Sequence, residues 1–171
     1  MEYNLNVGVL DVTADEIIKT ADEWVGKQRL PVPTKPADKD PEFVYPTDPA
    51  DLTSIELGQW MARSNGYYVY AVRTLGAIES KLIAVAAEYR LRINAGRQET
   101  VERIGGRPAA EVVEAEVLRH SEDITPLYKR RLQLLAIKAQ LEARVRIYEK
   151  SFQGLSRELS RREMEARITP G

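Results

Sequence analysis

The sequence predicts an all-α protein, a long antiparallel helical hairpin of coiled-coil type with a small N-terminal strand and helix and a proline-rich arm. Three observations carry that expectation. Two separate apolar columns recur at heptad spacing, and two Thr-x-x-Glu capping boxes stand where helices should begin. Between Leu30 and Leu52, six prolines remove backbone donors and exclude helix.

Taken in order, Tyr3 to Leu10 alternates apolar and polar side chains, the period of one short strand. Thr13 and Glu16 then open a short helix whose apolar stripe is Ile17, Ile18, Ala21, Trp24 and Val25. Residues 1–29 are thus a small N-terminal segment. Residues 30–52, "LPVPTKPADKDPEFVYPTDPADL", follow as an extended, semi-rigid arm, with Phe43, Val44 and Tyr45 apolar enough to anchor it.

Residues 53–167 form the hairpin body. Thr53 and Glu56 have capping-box spacing, and Met61, Tyr68, Leu75, Leu82 and Tyr89 form a heptad column. Ala71, Ile78 and Val85 fill the alternate position. This helix is expected to reach about Asn94 and to stop at Ala95-Gly96. A polar connection containing the Gly105-Gly106 turn leads to a second helical stretch beginning near Pro108. "SEDITP" interrupts that stretch, with Thr125 as N-cap and Pro126 at the first helical position of the restart. Leu127, Leu134, Leu141, Tyr148 and Leu155 form the second column, and Val145, Phe152 and Leu159 fill its partner position in the later half. Arg131 and Lys138 occupy that position earlier, where the seam is less apolar. Whether intramolecular or exchanged between subunits, one such hairpin cannot bury all its aromatics and leucines; copies of itself, or docking of the N-terminal helix and arm, would complete it, and a homo-oligomer is expected.

Charge is distributed unevenly along the 171 residues. Residues 1–53 hold 11 acidic and 5 basic side chains; the remainder holds 15 acidic and 20 basic. A basic body with an acidic N-terminal third fits a polyanionic partner, and equally fits charge complementarity between subunits. There is no cysteine, which excludes disulfides, thiolate zinc sites and cysteine nucleophiles. No apolar run approaches a bilayer-spanning length, and "MEYNLNVGVL" lacks the features of a signal peptide. A cytoplasmic protein with no membrane partner is expected.

Catalytic signals are sparse. His120 is the only histidine, so no histidine-pair metal site can be built. Glu122 and Asp123 beside it sit at a helix interruption, the setting of a solvated helix end rather than of acid–base chemistry. The glycines match no phosphate-loop or dinucleotide fingerprint. The expectation is therefore a protein that is no enzyme, with no cofactor, no metal and no catalytic residue.

Two sets of residues are candidates for nucleic-acid binding. Tyr67 and Tyr70, close to Arg73, can stack bases of a single strand or simply pack against another subunit, and packing is the commoner role of such aromatics. On a helical wheel with Arg146 at zero, Lys150, Arg157 and Arg161 fall within about 60°. Seam residues Leu141, Tyr148, Phe152, Leu155 and Leu159 fall at about 180–240° on the same wheel. The basic stripe therefore faces away from the packed side. Glu142–Arg146, Glu158–Arg162 and Arg161–Glu165 have the i,i+4 spacing of ordinary surface pairs. Lys150 and Arg157 have no acidic residue three or four positions away and are the cations left without a local carboxylate.

A helical pair with "AAEYRLRINAG" closing the first helix and "LEARVRIYEKSFQGLSRELSRRE" closing the second resembles UvsY-like phage recombination mediators, over roughly Leu52 to Arg167. That resemblance implies a non-enzymatic helical homo-oligomer that binds single-stranded DNA and helps load a recombinase onto it. Partners would be single-stranded DNA and a recombinase or single-strand-binding protein, in the cytoplasm of a bacterial host. The alternative is a structural or adaptor protein, or a host-protein-binding phage protein, working through helix–helix contacts.

Overall fold

The computed structural model describes residues 13–36, 46 and 48–168. It contains α1 (Ala14–Lys27), α2 (Ser54–Ile104), α3 (Ala110–His120) and α4 (Ile124–Ile168), with a 3₁₀ turn at Pro49–Asp51 before α2. The two long helices α2 and α4 pack together as the all-α hairpin that the heptad columns predict. No strand occurs among the described residues; the strand expected over Tyr3–Leu10, and the anchor Phe43, Val44 and Tyr45, lie outside them.

Both capping boxes form. Thr13 Oγ1 accepts from the Glu16 N–H at 3.3 Å, while the Thr13 N–H donates to Glu16 Oε2 at 2.9 Å. At the start of α2 the corresponding distances for Thr53 and Glu56 are 3.2 and 2.7 Å. Each box satisfies amides that the first helical turn would otherwise leave unpaired.

Helix ends depart from expectation at three places. First, α2 passes through Ala95-Gly96 and ends at Ile104, where Gly105 (φ 76°) and Gly106 (φ 73°) take the left-handed conformation that stops a helix. A glycine inside a helix costs only about 1 kcal/mol, which packing overrides. At Gly96 the absent side chain has a use, because a Cβ there would lie 3.1 Å from Val117 Cγ1 of α3. Second, α3 starts at Ala110 just beyond Pro108, with no side-chain cap. Third, the break at "SEDITP" is present, but α4 begins at Ile124, so Thr125 lies inside the helix rather than capping it. Pro126 still falls in the first turn, where its missing N–H forfeits nothing. In the arm, proline does not exclude all helical geometry: Asp48 Oδ1 accepts from the Ala50 N–H at 2.9 Å and closes the 3₁₀ turn, with Pro49 at its first position.

The chain divides into two compact units, Met1–Leu30 with Ala77–Lys138, and Pro31–Gly76 with Ala139–Gly171. In the first, Ala84, Val85 and Leu134 form a core with Ala14, against which Ile18, Ile78 and Leu82 pack. A second core gathers Tyr89, Val113, Val117 and Ile124. Tyr89 meets Tyr128 at 5.9 Å, and Lys138 pairs with Glu79 at 2.9 Å, so α2 and α4 run antiparallel here. The seam cations are thereby accounted for: Lys138 reaches a carboxylate, and the Arg131 guanidinium lies 5.4 Å over the Tyr89 ring.

A buried carboxylate pins α1 in this unit. Glu88, 8% exposed, accepts from the Ala14 N–H at 2.7 Å and from Arg92 at 3.0 Å. Arg92 also reaches Asp123 at 3.1 Å, and Asp15 pairs with Arg130 at 2.7 Å. The negative charge of Glu88 stands at the N-terminus of α1, where the helix dipole favours it.

In the second unit, Leu57 and Leu155 are fully buried, with Ala71 and Ser151 nearly so. Tyr67 stacks on Tyr148 at 5.6 Å, again an antiparallel pairing of α2 with α4. The arm is held by arginines donating to its carbonyls: Arg73 to Pro33 at 3.0 Å, and Arg162 to Ala50 at 2.8 Å and Pro49 at 3.4 Å. An extended proline-rich segment leaves its carbonyls open for such donors.

The Glu88 junction predicts a specific failure. Glu88→Ala leaves the buried Ala14 amide without an acceptor and should lower the unfolding free energy in urea by about 1–3 kcal/mol. Amide exchange should accelerate across Ala14–Lys27 while α3 keeps its protection.

Candidate nucleic-acid interface

The candidate interface is built on the later half of α4, inside the second unit. Leu155 and Ser151 are buried on one side of this helix, and Tyr148, Phe152 and Leu159 are half-buried. Fixing that side turns the other outward, and Arg146, Lys150, Arg157 and Arg161 are all exposed. The stripe read from the helical wheel is therefore a solvent-facing feature of the structure.

Its members differ in what holds them. Arg161 donates to both Glu158 oxygens, at 2.9 and 2.7 Å, and to Glu165, so its charge is locally compensated. Arg162 shares Glu158 at 2.8 Å, as the i,i+4 spacing predicts. The two guanidiniums, Arg161 first, hold the Glu158 carboxyl down at about 2. Lys150, by contrast, meets among the described residues only the Gln153 amide oxygen, at 3.3 Å. Arg146 and Arg157 have no ion pair among the described residues. Arg146 and Lys150 also line a depression of 420 Å³ with Ile147 and Ser151, in which Ile147 is 58% exposed. Three uncompensated cations beside an open apolar side chain can hold phosphates while leaving a contact for a sugar or base.

The structure does not bring the tyrosine set onto this stripe. One face of Tyr67 is taken by Tyr148, and Arg73 is engaged by the Pro33 carbonyl. Tyr67 and Tyr70 instead line a separate cleft of 330 Å³ with Lys35, Leu141, Arg144 and Tyr148. Arg144, exposed and without an ion pair among the described residues, is the cation of this cleft that the sequence reading missed. Its signal was present: it lies three residues after seam residue Leu141, on the seam side of the wheel. Lys35 had no such signal, because no periodicity in the arm says where it lies.

At the break between α3 and α4, Asp123 is engaged by Arg92, and His120 Nδ1 lies 2.9 Å from the Glu116 carbonyl oxygen. Among the described residues no group of three or more His, Asp or Glu is placed to hold a metal ion, and no helix is long and apolar enough to cross a membrane. No family model, no curated protein and no solved structure matches the chain.

The Glu158 cluster can be checked by carbon-detected NMR titration, in which this carboxyl should titrate at about 2 instead of near 4.5. A carboxyl depressed on folding adds stability that is fully present above its ordinary value and is lost as pH falls through its depressed one. Arg162→Ala should raise the midpoint, because Glu158 then keeps only Arg161.

Proposed function

We propose that this chain is a non-enzymatic accessory protein of DNA recombination that binds single-stranded DNA along α4 as a homo-oligomer and mediates recombinase loading, in the manner of the UvsY-like phage mediators its helical pair resembles. The observation that carries this reading is the position of Lys150 and Arg157, exposed on the open face of α4 with no carboxylate partner among the described residues. They stand two turns apart, about 10 Å along the helix, with Arg146 continuing the line. Affinity would come from counterion release at phosphates, with little reading of base identity. The cytoplasm of a bacterial host is the compartment this function requires.

Self-association is supported by apolar side chains the monomer leaves open. Ile83 on α2 is 71% exposed, and Leu132 and Ile137 on α4 are 47% and 45% exposed. A second copy covering them would follow the closed symmetry usual for homo-oligomers.

A second reading has its own observation. Most of the apolar stripe of α1 is uncovered, with Trp24 62% and Val25 54% exposed along a groove shared with Ile17 and Ala21, while Ile18 packs on the core. That face favours an adaptor working through helix–helix contacts. In the first reading it is where a recombinase or a single-strand-binding protein docks.

The two readings separate in fluorescence anisotropy with a labelled oligo-dT. The wild type should bind, and Lys150→Glu with Arg157→Glu should weaken binding roughly tenfold or more, since two phosphate contacts become repulsive. Equal binding by the double variant, or no binding by the wild type, contradicts the single-strand reading and leaves the adaptor.

A further inference from the structure

In the unit containing α1 and α3, a cleft holds charged groups that the strand interface does not use. Arg90, Asn94 and Arg97 stand at i, i+4 and i+7, one face of α2, and line a cavity of 390 Å³ together with Glu114 of α3 and Arg131 of α4. Ile93 and Val113 give it an apolar floor.

The arginines of this cleft differ from their neighbours. Arg92 is paired with Glu88 and Asp123, Arg103 and Arg119 with Glu116, and Arg130 with Asp15. Arg90, Arg97 and Arg131 have no ion pair among the described residues. The one carboxylate in the cleft, Glu114, accepts the Tyr89 hydroxyl at 2.5 Å, and Arg131 is steadied 5.4 Å over that same tyrosine ring. Tyr89 thus fixes one cation and one acceptor before any ligand arrives. Three guanidiniums against one carboxylate leave an excess of positive charge along a half-open cleft.

We propose that this cleft binds a small organic phosphate of about nucleoside-monophosphate size. Planar guanidinium forks match phosphate oxygens, which places the phosphate among Arg90, Arg97 and Arg131. The cavity is far larger than a bare phosphate and falls within the ~300–1,000 Å³ of small-molecule sites. The apolar part of the ligand covers Ile93 and Val113. Asn94 and the Glu114 oxygen not held by Tyr89 remain for a hydroxyl or a ring nitrogen. This site is additional to the α4 interface and does not depend on it.

Isothermal titration calorimetry of the full chain tests it, with adenosine monophosphate as probe and inorganic phosphate and adenosine as separate arms. Adenosine monophosphate should bind saturably with a Kd of about 1 mM or tighter, and each fragment alone roughly tenfold more weakly or less well still. Arg90→Gln with Arg97→Gln, both exposed and so compatible with the fold, should weaken it roughly tenfold or more. Arg103→Gln, whose guanidinium is paired with Glu116 outside the cleft, should change nothing. Circular dichroism of each variant establishes that the helices persist. Absence of binding by the wild type overturns the proposal, as does binding unaltered in the double variant. Inorganic phosphate binding as tightly as the nucleotide overturns the organic ligand.

Discussion

Burial of the apolar stripe on α2 against that on α4 is the constraint on which the other features rest, because a heptad column commits one side of each helix and thereby frees the other. Val85 and Leu134 in one unit, and Leu155 in the other, are buried on these stripes. Where the seam carries cations, the fold supplies partners, Glu79 for Lys138 and the Tyr89 ring for Arg131. The exposed line of Arg146, Lys150 and Arg157 is the geometric complement of that burial. Its position follows from the packing of the opposite face, so a partner can bind along it without disturbing the core.

Polar contacts then fix what the seam leaves loose. Glu88 joins the first amide of α1 to Arg92, and Arg92 reaches Asp123 at the α3–α4 break, so a buried carboxylate and its arginine together link α1, α2 and that break. Such a network is costly when incomplete, and here each oxygen of Glu88 has a donor. The arm is held differently. Its prolines make no internal ladder, and Arg73 and Arg162 complete its carbonyls from α2 and α4. Arginines that look alike in the sequence thus do different work: two hold the arm, Arg161 closes a carboxylate cluster, and Arg146 and Arg157 stay uncompensated.

What the sequence made legible was local. Capping boxes need only four consecutive residues, and both formed. The wheel needs only helical periodicity, and it placed the α4 stripe on the open face and Glu158 with Arg162. Two local readings failed, Thr125 as an N-cap and Arg146 as the partner of Glu142, but most of what failed depended on residues far apart in the chain. Gly96 reads as a stop because nothing nearby reveals Val117 against it, whereas Gly105 is the residue that takes positive φ. Arg73 reads as a base-stacking neighbour until Pro33, forty positions earlier, takes its guanidinium. Arg131 reads as a seam defect, and only the approach of α3 gathers it with Arg90 and Arg97 around one cavity. A helix face is written in periodicity, but a site shared by three helices is written in their packing.

The most direct measurement is the salt dependence of single-strand binding by the wild-type chain. If Arg146, Lys150 and Arg157 each neutralise one phosphate, log Kobs against log salt concentration should fall with a slope of about −2 per bound chain, at ~0.7 for each contact. A slope near zero would mean that no phosphate is neutralised, and would contradict a single-strand interface on α4.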